Sequence, residues 1–106
     1  RDLMMVLGSY NPKQKLPLVP CSDGAGEVAA LGAGVTRFQP GDRVMSVFSQ
    51  TWLSGPPTKE RSQGTLGSPL DGMLAEYRVL SAEGLVRVPA HLSDAEAATL
   101  PCAGVT

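Results

Sequence analysis

Few side chains in this sequence could act as nucleophiles or metal ligands. There are two cysteines, Cys21 and Cys102, and a single histidine, His91. Cys21 has no cation beside it in the sequence to lower the pKa of its thiol, although its neighbour Ser22 leaves open a position near a cleft. His91 has no carboxylate or nucleophile at a recognisable spacing, so we predict a surface loop position rather than a role as general acid.

Composition limits the function classes further. The chain has 106 residues, 42% of them hydrophobic, and a net charge of −1 with nine Lys/Arg against ten Asp/Glu. These values suit a single globular domain and argue against nucleic acid and anionic lipid as partners. The longest apolar runs fall far short of the roughly 20 residues of a membrane helix. Without a signal peptide, and with two distant cysteines that do not imply a disulfide framework, we expect a cytoplasmic protein with reduced thiols.

The elements that must position these side chains are short. Twelve glycines and nine prolines divide the chain into brief segments. Ser93 and Glu96 form a capping box that starts an Ala-rich helix, and Pro101 ends it. Short strands between Gly/Pro turns, followed by one capped helix, indicate a small, mainly β barrel. We predict strands at 26–31, 43–48, 73–80 and 85–88.

Glycine and proline also mark the turns and the one long loop. Residues 38–42 (Phe-Gln-Pro-Gly-Asp) predict a tight turn between the first two strands. Gly24 and Gly26 predict a close approach of backbone to a neighbouring strand. Residues 49–71 predict a long loop with few buried contacts, anchored by Trp52.

Several motifs, in order along the chain, resemble the medium-chain dehydrogenase/reductase superfamily, which contains the zinc-type alcohol dehydrogenases and the quinone oxidoreductases. The segments that carry the resemblance are Asp23–Val28, Gly32, Gly34–Val35, Phe38–Val44, the G-x-x-A-E-Y segment Gly72–Tyr77, and Ala97–Thr106. It implies a partial GroES-like β-barrel over residues 1–106, with a C-terminal helix that leads into a Rossmann domain absent from the chain. No glycine-rich βαβ fingerprint stands in the sequence. The chain also lacks an initiator Met, and we expect barrel strands upstream of Arg1.

Comparison with the family's zinc ligands implies a zinc-free member. The resemblance places a ligand cysteine three residues before Asp2, a ligand histidine at the position of Ser22, and a ligand cysteine at Cys102. The first position precedes Arg1, and a neutral serine is a poor zinc ligand. The structural zinc of the family needs four cysteines in the long loop, which contains none. We therefore expect no metal site, and we predict that Cys102 is a small buried packing residue.

The resemblance also implies the reaction and the site. It implies hydride transfer between NADP or NAD and a quinone, enone, alcohol or carbonyl substrate, in a protein that is a homodimer when full length. Asp2 and Ser22 are the candidate catalytic residues, and Thr106 resembles the threonine that meets the nicotinamide. Arg1 stands where zinc members have a proton-relaying Ser/Thr, so that relay is not expected. We expect the chain to be inactive without the cofactor domain.

A non-enzymatic alternative remains open from the residues alone. A GroES-like barrel could act as a co-chaperonin or an oligomeric interaction module, with residues 49–71 as a mobile partner-binding loop. The run Leu100–Thr106 has no evident use in a co-chaperonin but suits a crossover into a second domain. The sequence therefore favours the enzyme.

Overall fold

The computed structural model describes residues 1–105, and these form one small antiparallel sheet with short helices around it. The sheet has the order β1-β2-β3, so β2 lies in the centre. The strands are β1 (Ala25–Glu27), β2 (Arg43–Ser46) and β3 (Leu85–Arg87); the α-helices are α1 (Asp2–Val6), α2 (Lys59–Ser62) and α3 (Asp94–Ala98); 3₁₀ turns span Ala82–Gly84 and Ala103–Val105.

The alternating side chains of β2 create the core. Val44 lies opposite Gly26 on one side and Arg87 on the other. Because successive strand residues face opposite sides of a sheet, Val44 points inward with Ser46, where it packs with Val28 and Phe38. Burying side chains of this size contributes roughly 1.5–3 kcal/mol each. This small cluster is the main hydrophobic core in the part of the chain that the structure describes.

Helix α3 begins at the predicted capping box. The Ser93 hydroxyl accepts a hydrogen bond from the Glu96 amide, and the Glu96 carboxylate accepts one from the Ser93 amide. The helix packs on β1 and β2 through Ala97, which is fully buried. Arg43 joins the two elements by donating to the Asp94 carboxylate and to the Leu92 carbonyl, each at 2.7 Å.

The turn between β1 and β2 also forms as predicted. Gly41 has a φ of +90°, which glycine adopts without strain. The Asp42 carboxylate accepts a hydrogen bond from the Gln39 amide (2.7 Å) and pairs with Arg87 (2.6 Å). These bonds, together with the nearby Arg87, hold the pKa of Asp42 below its ordinary value.

The predicted strand at 73–80 is not formed. Its first residues are held by the preceding loop: the amides of Gly72 and Met73 donate to the carbonyls of Val19 and Cys21 at 2.7 and 2.8 Å. Beyond Ala75 the segment makes no backbone hydrogen bond to another described element, and Val79 is 98% exposed. A strand needs a partner as well as an alternating pattern, and this segment has none within residues 1–105.

An open space separates this segment from β1. It has a volume of about 450 Å³ and is lined on one side by Ala25–Gly32 and on the other by Ala75–Leu80. We call it the edge cleft. It explains why only Gly24 meets the prediction of a close approach: a Cβ on Gly24 would lie 2.8 Å from that of Met73, whereas one on Gly26 would meet nothing within 4 Å.

The first strand is shorter than the predicted 26–31. The Val28 amide still donates to the Asp42 carbonyl, but the chain of β2 ends at the turn and offers no further partner. The second and fourth predicted strands are confirmed with small changes of boundary.

The long loop is more ordered than predicted, and its anchor is a different residue. Trp52 is 37% exposed, and its indole N–H donates locally to the Gly55 carbonyl. The buried contact comes from Leu66, which is 1% exposed and bonds through its amide to the Phe48 carbonyl. Helix α2 lies inside the loop, with Thr58 as its N-cap. The prediction of a Trp52 anchor is therefore wrong.

His91 is exposed in the turn before α3, as predicted. None of the helices in residues 1–105 is long and apolar enough to span a bilayer.

Candidate functional site

A tight turn at Pro20–Asp23 presents the first candidate residue. Cys21 has a φ of +71°, a left-handed conformation that is uncommon for a residue with a Cβ. Gly72 packs directly on this turn, since a Cβ there would lie 2.0 Å from the Cys21 carbonyl oxygen and 2.3 Å from that of Pro20. The turn is thus fixed by its own backbone and by the 72–74 segment that donates to it.

Asp2 meets this turn from helix α1. Burial raises the pKa of the Cys21 thiol, and the carboxylates of Asp2 and Asp23 raise it further. Both carboxylates therefore lie close enough to Cys21 to act on its charge. One oxygen of each, Oδ1, is buried and has no hydrogen-bond partner among residues 1–105. Buried polar atoms of this kind generally find a partner, such as a water or a bound molecule.

Ser22 follows Cys21 in the same turn and is only 8% exposed. The structure thus brings the two predicted catalytic residues, Asp2 and Ser22, into one cluster with Cys21 and Asp23. We call it the Asp2–Ser22 cluster. No hydrogen bond joins Asp2 to Ser22 within the described chain, so the pair is not a preformed proton relay.

Arg1 connects the cluster to the long loop. Its Nη2 donates to the Leu66 carbonyl at 2.5 Å, and its guanidinium carbon lies 5.0 Å from the centre of the Phe48 ring and 5.8 Å from that of Tyr10. Both distances fall within the range of cation–π attraction. Gly67 leaves room for this arrangement, since a Cβ there would lie 2.9 Å from Nη2 of Arg1.

Phe48 also borders an apolar groove on the far face of the sheet. The groove has a volume of about 470 Å³, within the usual range for small-molecule sites. No charged side chain lines it; its lining is Met45, Ser46, Val47, Phe48, Ser49, Val86, Leu100, Pro101, Gly104 and Val105. Phe48 thus lines the groove and also contacts Arg1, the residue that precedes Asp2.

Nowhere in residues 1–105 do three His, Cys, Asp or Glu side chains stand close enough together to hold a metal ion. Cys102, the position that resembles a ligand cysteine, is partly exposed, so the prediction of a buried packing residue is wrong. Thr106, the predicted cofactor contact, lies outside the described residues.

The family model described as the alcohol dehydrogenase GroES-like domain matches residues 1–90. The chain belongs to this family. The match confirms the predicted membership of the medium-chain dehydrogenase/reductase superfamily and the partial GroES-like fold.

Relatives and solved structures agree with this assignment. The chain is 44% identical over its whole length to a zinc-type alcohol dehydrogenase-like protein of Schizosaccharomyces pombe, covering 31% of that protein. It is 38% identical over 88% of its length to a chloroplast envelope quinone oxidoreductase homolog of Arabidopsis thaliana, covering 23% of it. A crystal structure described as that of an alcohol dehydrogenase from Sinorhizobium meliloti matches with a TM-score of 0.84 at 43% identity, over 100% of this chain and 33% of that one. The chain thus spans about a third or less of these proteins.

Two residues of the site, Arg1 and Phe48, were not predicted from the sequence. The type of residue at Arg1 indicated only that the proton-relaying Ser/Thr of zinc members is missing at this position. Phe48 ends the predicted 43–48 strand, whose apolar pattern indicates burial and does not indicate a site. Only the fold brings Arg1 and Phe48 together.

Proposed function

We propose that this chain is the catalytic-domain portion of an NAD(P)H-dependent oxidoreductase that reduces a quinone, enone or carbonyl substrate, or oxidises the corresponding alcohol. The observation that carries the proposal is the grouping of Asp2 and Ser22 at one turn in a member of the alcohol dehydrogenase GroES-like family. The polar atoms of this cluster suit the reacting oxygen of a small substrate. An apolar groove is linked to the cluster through Phe48 and Arg1, and a groove without charged side chains suits an apolar substrate body.

The residues of this chain would bind and orient the substrate. When bound, a nicotinamide cofactor supplies the hydride, and the protein holds the reacting groups together and stabilises the developing charge. Asp2 and Ser22 would stand at the cleft wall, with their polar atoms toward the reacting oxygen. Thr106 would meet the nicotinamide, and a segment outside the described residues would bind most of the cofactor. The proposal includes a cytoplasmic location and a homodimer for the full-length protein.

The proposal also includes chemistry without zinc. Ser22 stands where the family's zinc members have a ligand histidine, and the described donors form no metal cluster. The name of the Schizosaccharomyces pombe relative, a zinc-type alcohol dehydrogenase-like protein, points the other way, and a measurement of bound zinc decides between the two.

The test is made on the full-length protein purified without chelator. Elemental analysis should find well under one zinc per chain, and NADPH-dependent reduction of an enone such as 2-cyclohexenone or of 1,4-benzoquinone should persist after treatment with a strong chelator. A stoichiometric zinc whose removal abolishes the activity would overturn the zinc-free part. Absence of nicotinamide-dependent reduction across quinones, enones, aldehydes and alcohols would overturn the reaction class.

Residues 1–106 alone should be inactive. The edge of β1 that faces the edge cleft carries unpaired backbone groups, and such edges promote association. We expect the isolated chain to be marginally stable or self-associating and to bind no NADPH. Titration with NADPH, followed by cofactor fluorescence, tests this: saturable micromolar binding by a monomeric sample of residues 1–106 would show that these residues build the cofactor site themselves.

A further inference from the structure

The turn that carries Ser22 is held through its carbonyl groups. The amides of Met73 and Leu74 donate to the carbonyls of Cys21 and Pro20, at 2.8 and 3.2 Å. No backbone amide of the turn itself donates a hydrogen bond within the described chain. Because a carbonyl accepts hydrogen bonds over a broad range of directions, the position of the turn also depends on how the chain enters it.

The chain enters the turn at Val19, and both of its backbone groups are bonded. Its amide donates to Oδ1 of Asp71 at 2.9 Å, and its carbonyl accepts from the Gly72 amide at 2.7 Å. Since Pro20 has no amide hydrogen, the Val19 amide is the last backbone donor before Cys21. The side chain of Asp71 thus holds the end of the chain from which the turn starts.

Asp71 makes this bond from an exposed position, so packing does not require an aspartate there. The ion pairs found within residues 1–105 use other carboxylates, and the Val19 amide is the donor that the Asp71 carboxylate receives in this part of the chain. The Asp71 carbonyl accepts from Nη2 of Arg78 at 2.8 Å. The backbone of Asp71 is therefore held by Arg78, while its carboxylate holds Val19.

The position of the turn decides where Ser22 lies relative to Asp2. Ser22 is 8% exposed, and Oδ1 of Asp2 is buried without a hydrogen-bond partner among the described residues. Reacting groups that are misplaced by about 1 Å can lose about 100-fold in rate, even when the change lies far from the chemistry. A residue that fixes the turn therefore acts on the reaction through Ser22.

We propose that Asp71 is a positioning residue, whose carboxylate oxygen holds Val19 and thereby sets the place of Ser22 in the Asp2–Ser22 cluster. This inference rests on the proposed function and deepens it. The role belongs to the acceptor oxygen and not to the negative charge. Asparagine keeps an acceptor oxygen at the same distance from the backbone, whereas glutamate keeps the charge but moves the oxygen by one carbon–carbon bond. Asparagine should therefore replace Asp71, and neither glutamate nor alanine should.

Hydrogen–deuterium exchange of the full-length protein, followed by mass spectrometry, measures the turn directly. In Asp71→Ala and Asp71→Glu, the amides of residues 72–74, which donate to Val19 and to the turn, should exchange about tenfold faster, as expected for the loss of one hydrogen bond to a charged acceptor. Exchange in β2 should stay unchanged. Asp71→Asn should remain within about threefold of the unmodified protein. Glu83→Ala, which removes an exposed carboxylate and its ion pair with Arg37, is the control and should leave the 72–74 amides unchanged.

Kinetics then measures what the position of the turn contributes to the reaction. The substrate is 2-cyclohexenone or 1,4-benzoquinone, whichever the full-length protein reduces faster with NADPH, at a temperature where all variants are folded. Asp71→Ala and Asp71→Glu should lower kcat by about tenfold, while the KM for NADPH stays within twofold. Asp71→Asn should recover most of the rate, and Glu83→Ala should keep all of it.

A merely structural role predicts a different pattern. It would lower the melting temperature and speed exchange in β2 as much as in residues 72–74, with kcat unchanged in the folded protein, and this result would overturn the inference. A loss of rate in Asp71→Asn as large as in Asp71→Glu would overturn it as well, and this pair still decides if Asp71→Ala does not fold. If the unmodified protein reduces no substrate, the proposed function fails instead, and the exchange comparison still decides whether Asp71 holds the turn of Ser22.

Discussion

The two flanks of β1 have similar sequence patterns but different structures. On one flank, β1 pairs with β2 and β2 with β3, and the sheet is covered by α3 and the Val28–Phe38–Val44 core. On the other flank, residues 75–80 form no strand and are mostly exposed, and the edge cleft separates them from β1. The apolar alternation of the second flank resembles that of a strand, yet no ladder forms.

The difference shows that pairing, and not residue type, makes the strand. β2 has a partner on each side, so its amides and carbonyls are satisfied and its inward side chains are buried. The 75–80 segment has the side chains of a strand but no partner in the described chain. If a segment of the full-length protein lies in the edge cleft, it can pair with residues 75–80 as β2 pairs with β1.

The largest expected difference between the two flanks is the loss of unfolding free energy when one side chain on each is truncated to alanine. Phe38→Ala removes a buried ring from the core and should cost about 3–5 kcal/mol of unfolding free energy. Val79→Ala, at an exposed position beside the edge cleft, should change it by less than about 0.5 kcal/mol in residues 1–106. Urea unfolding at low protein concentration measures both.

An equal loss of unfolding free energy in the two variants would show that the segment beside the edge cleft is packed in solution. Repeating Val79→Ala in the full-length protein sharpens the comparison. A cost that appears only there would locate a segment that covers the open flank.

The next prediction compares two glycines that differ in the space available for a Cβ. Gly72→Ala would force a Cβ against the carbonyl oxygens of Pro20 and Cys21, and should cost about 2–3 kcal/mol by displacing the turn that carries Ser22. Gly26→Ala is the matched control, because a Cβ there meets nothing within 4 Å and its effect should stay within about 0.5 kcal/mol. Thermal melts of both variants provide the measurement, and a larger cost at Gly26 would mean that the edge cleft is filled.

Local signals predicted more of the fold than non-local ones. The Ser93 capping box and the Phe38–Asp42 turn act within a few residues, and both formed as predicted. The 73–80 strand failed because its pairing depends on a partner that no local pattern reveals. The sequence favoured Trp52 as the loop anchor because of its large ring, and only the fold shows that Leu66 is the buried residue, with its amide bonded to the Phe48 carbonyl.

The site was predictable in part for the same reason. Asp2 and Ser22 came from motif resemblance, and the structure places them in one cluster. The contacts of Arg1 with Leu66 and Phe48 join positions far apart in the sequence, so no spacing rule points to them. The catalytic roles of Asp2 and Ser22 and the contact of Thr106 with the cofactor stay predictions.

A smaller loss of stability is expected from removing the N-cap of helix α3, which covers the flank where β1 pairs with β2. Ser93→Ala should cost about 1 kcal/mol, because the first turn of α3 loses the acceptor for its Glu96 amide. The bonds from Ser93 also hold the pKa of Glu96 below its ordinary value. A lowered folded-state pKa gives stability that is present above the unfolded pKa and lost as pH falls through the folded value. Urea unfolding between pH 7 and pH 3 should therefore show a shallower loss of stability in Ser93→Ala; an unchanged slope would contradict the role of the cap.

The smallest effect concerns the thiol beside the candidate site. Burial, then Asp2, then Asp23 raise the pKa of Cys21, so less thiolate is present near neutral pH and alkylation by iodoacetamide should be slower than for free cysteine. Because the folded-state pKa is raised, the folded protein holds its proton at a pH where the unfolded chain has lost it, and stability falls as pH rises above the unfolded pKa.

Asp23→Asn removes one of the two charges and should speed alkylation by less than about tenfold, since one pKa unit is a tenfold change in thiolate. Asp94→Asn, in helix α3, is the control and should leave the rate of Cys21 alkylation unchanged. Mass spectrometry of the Cys21 peptide at several pH values follows the rate. An alkylation rate at Cys21 equal to that of free cysteine would show that Asp2 and the Pro20–Asp23 turn do not come together in solution.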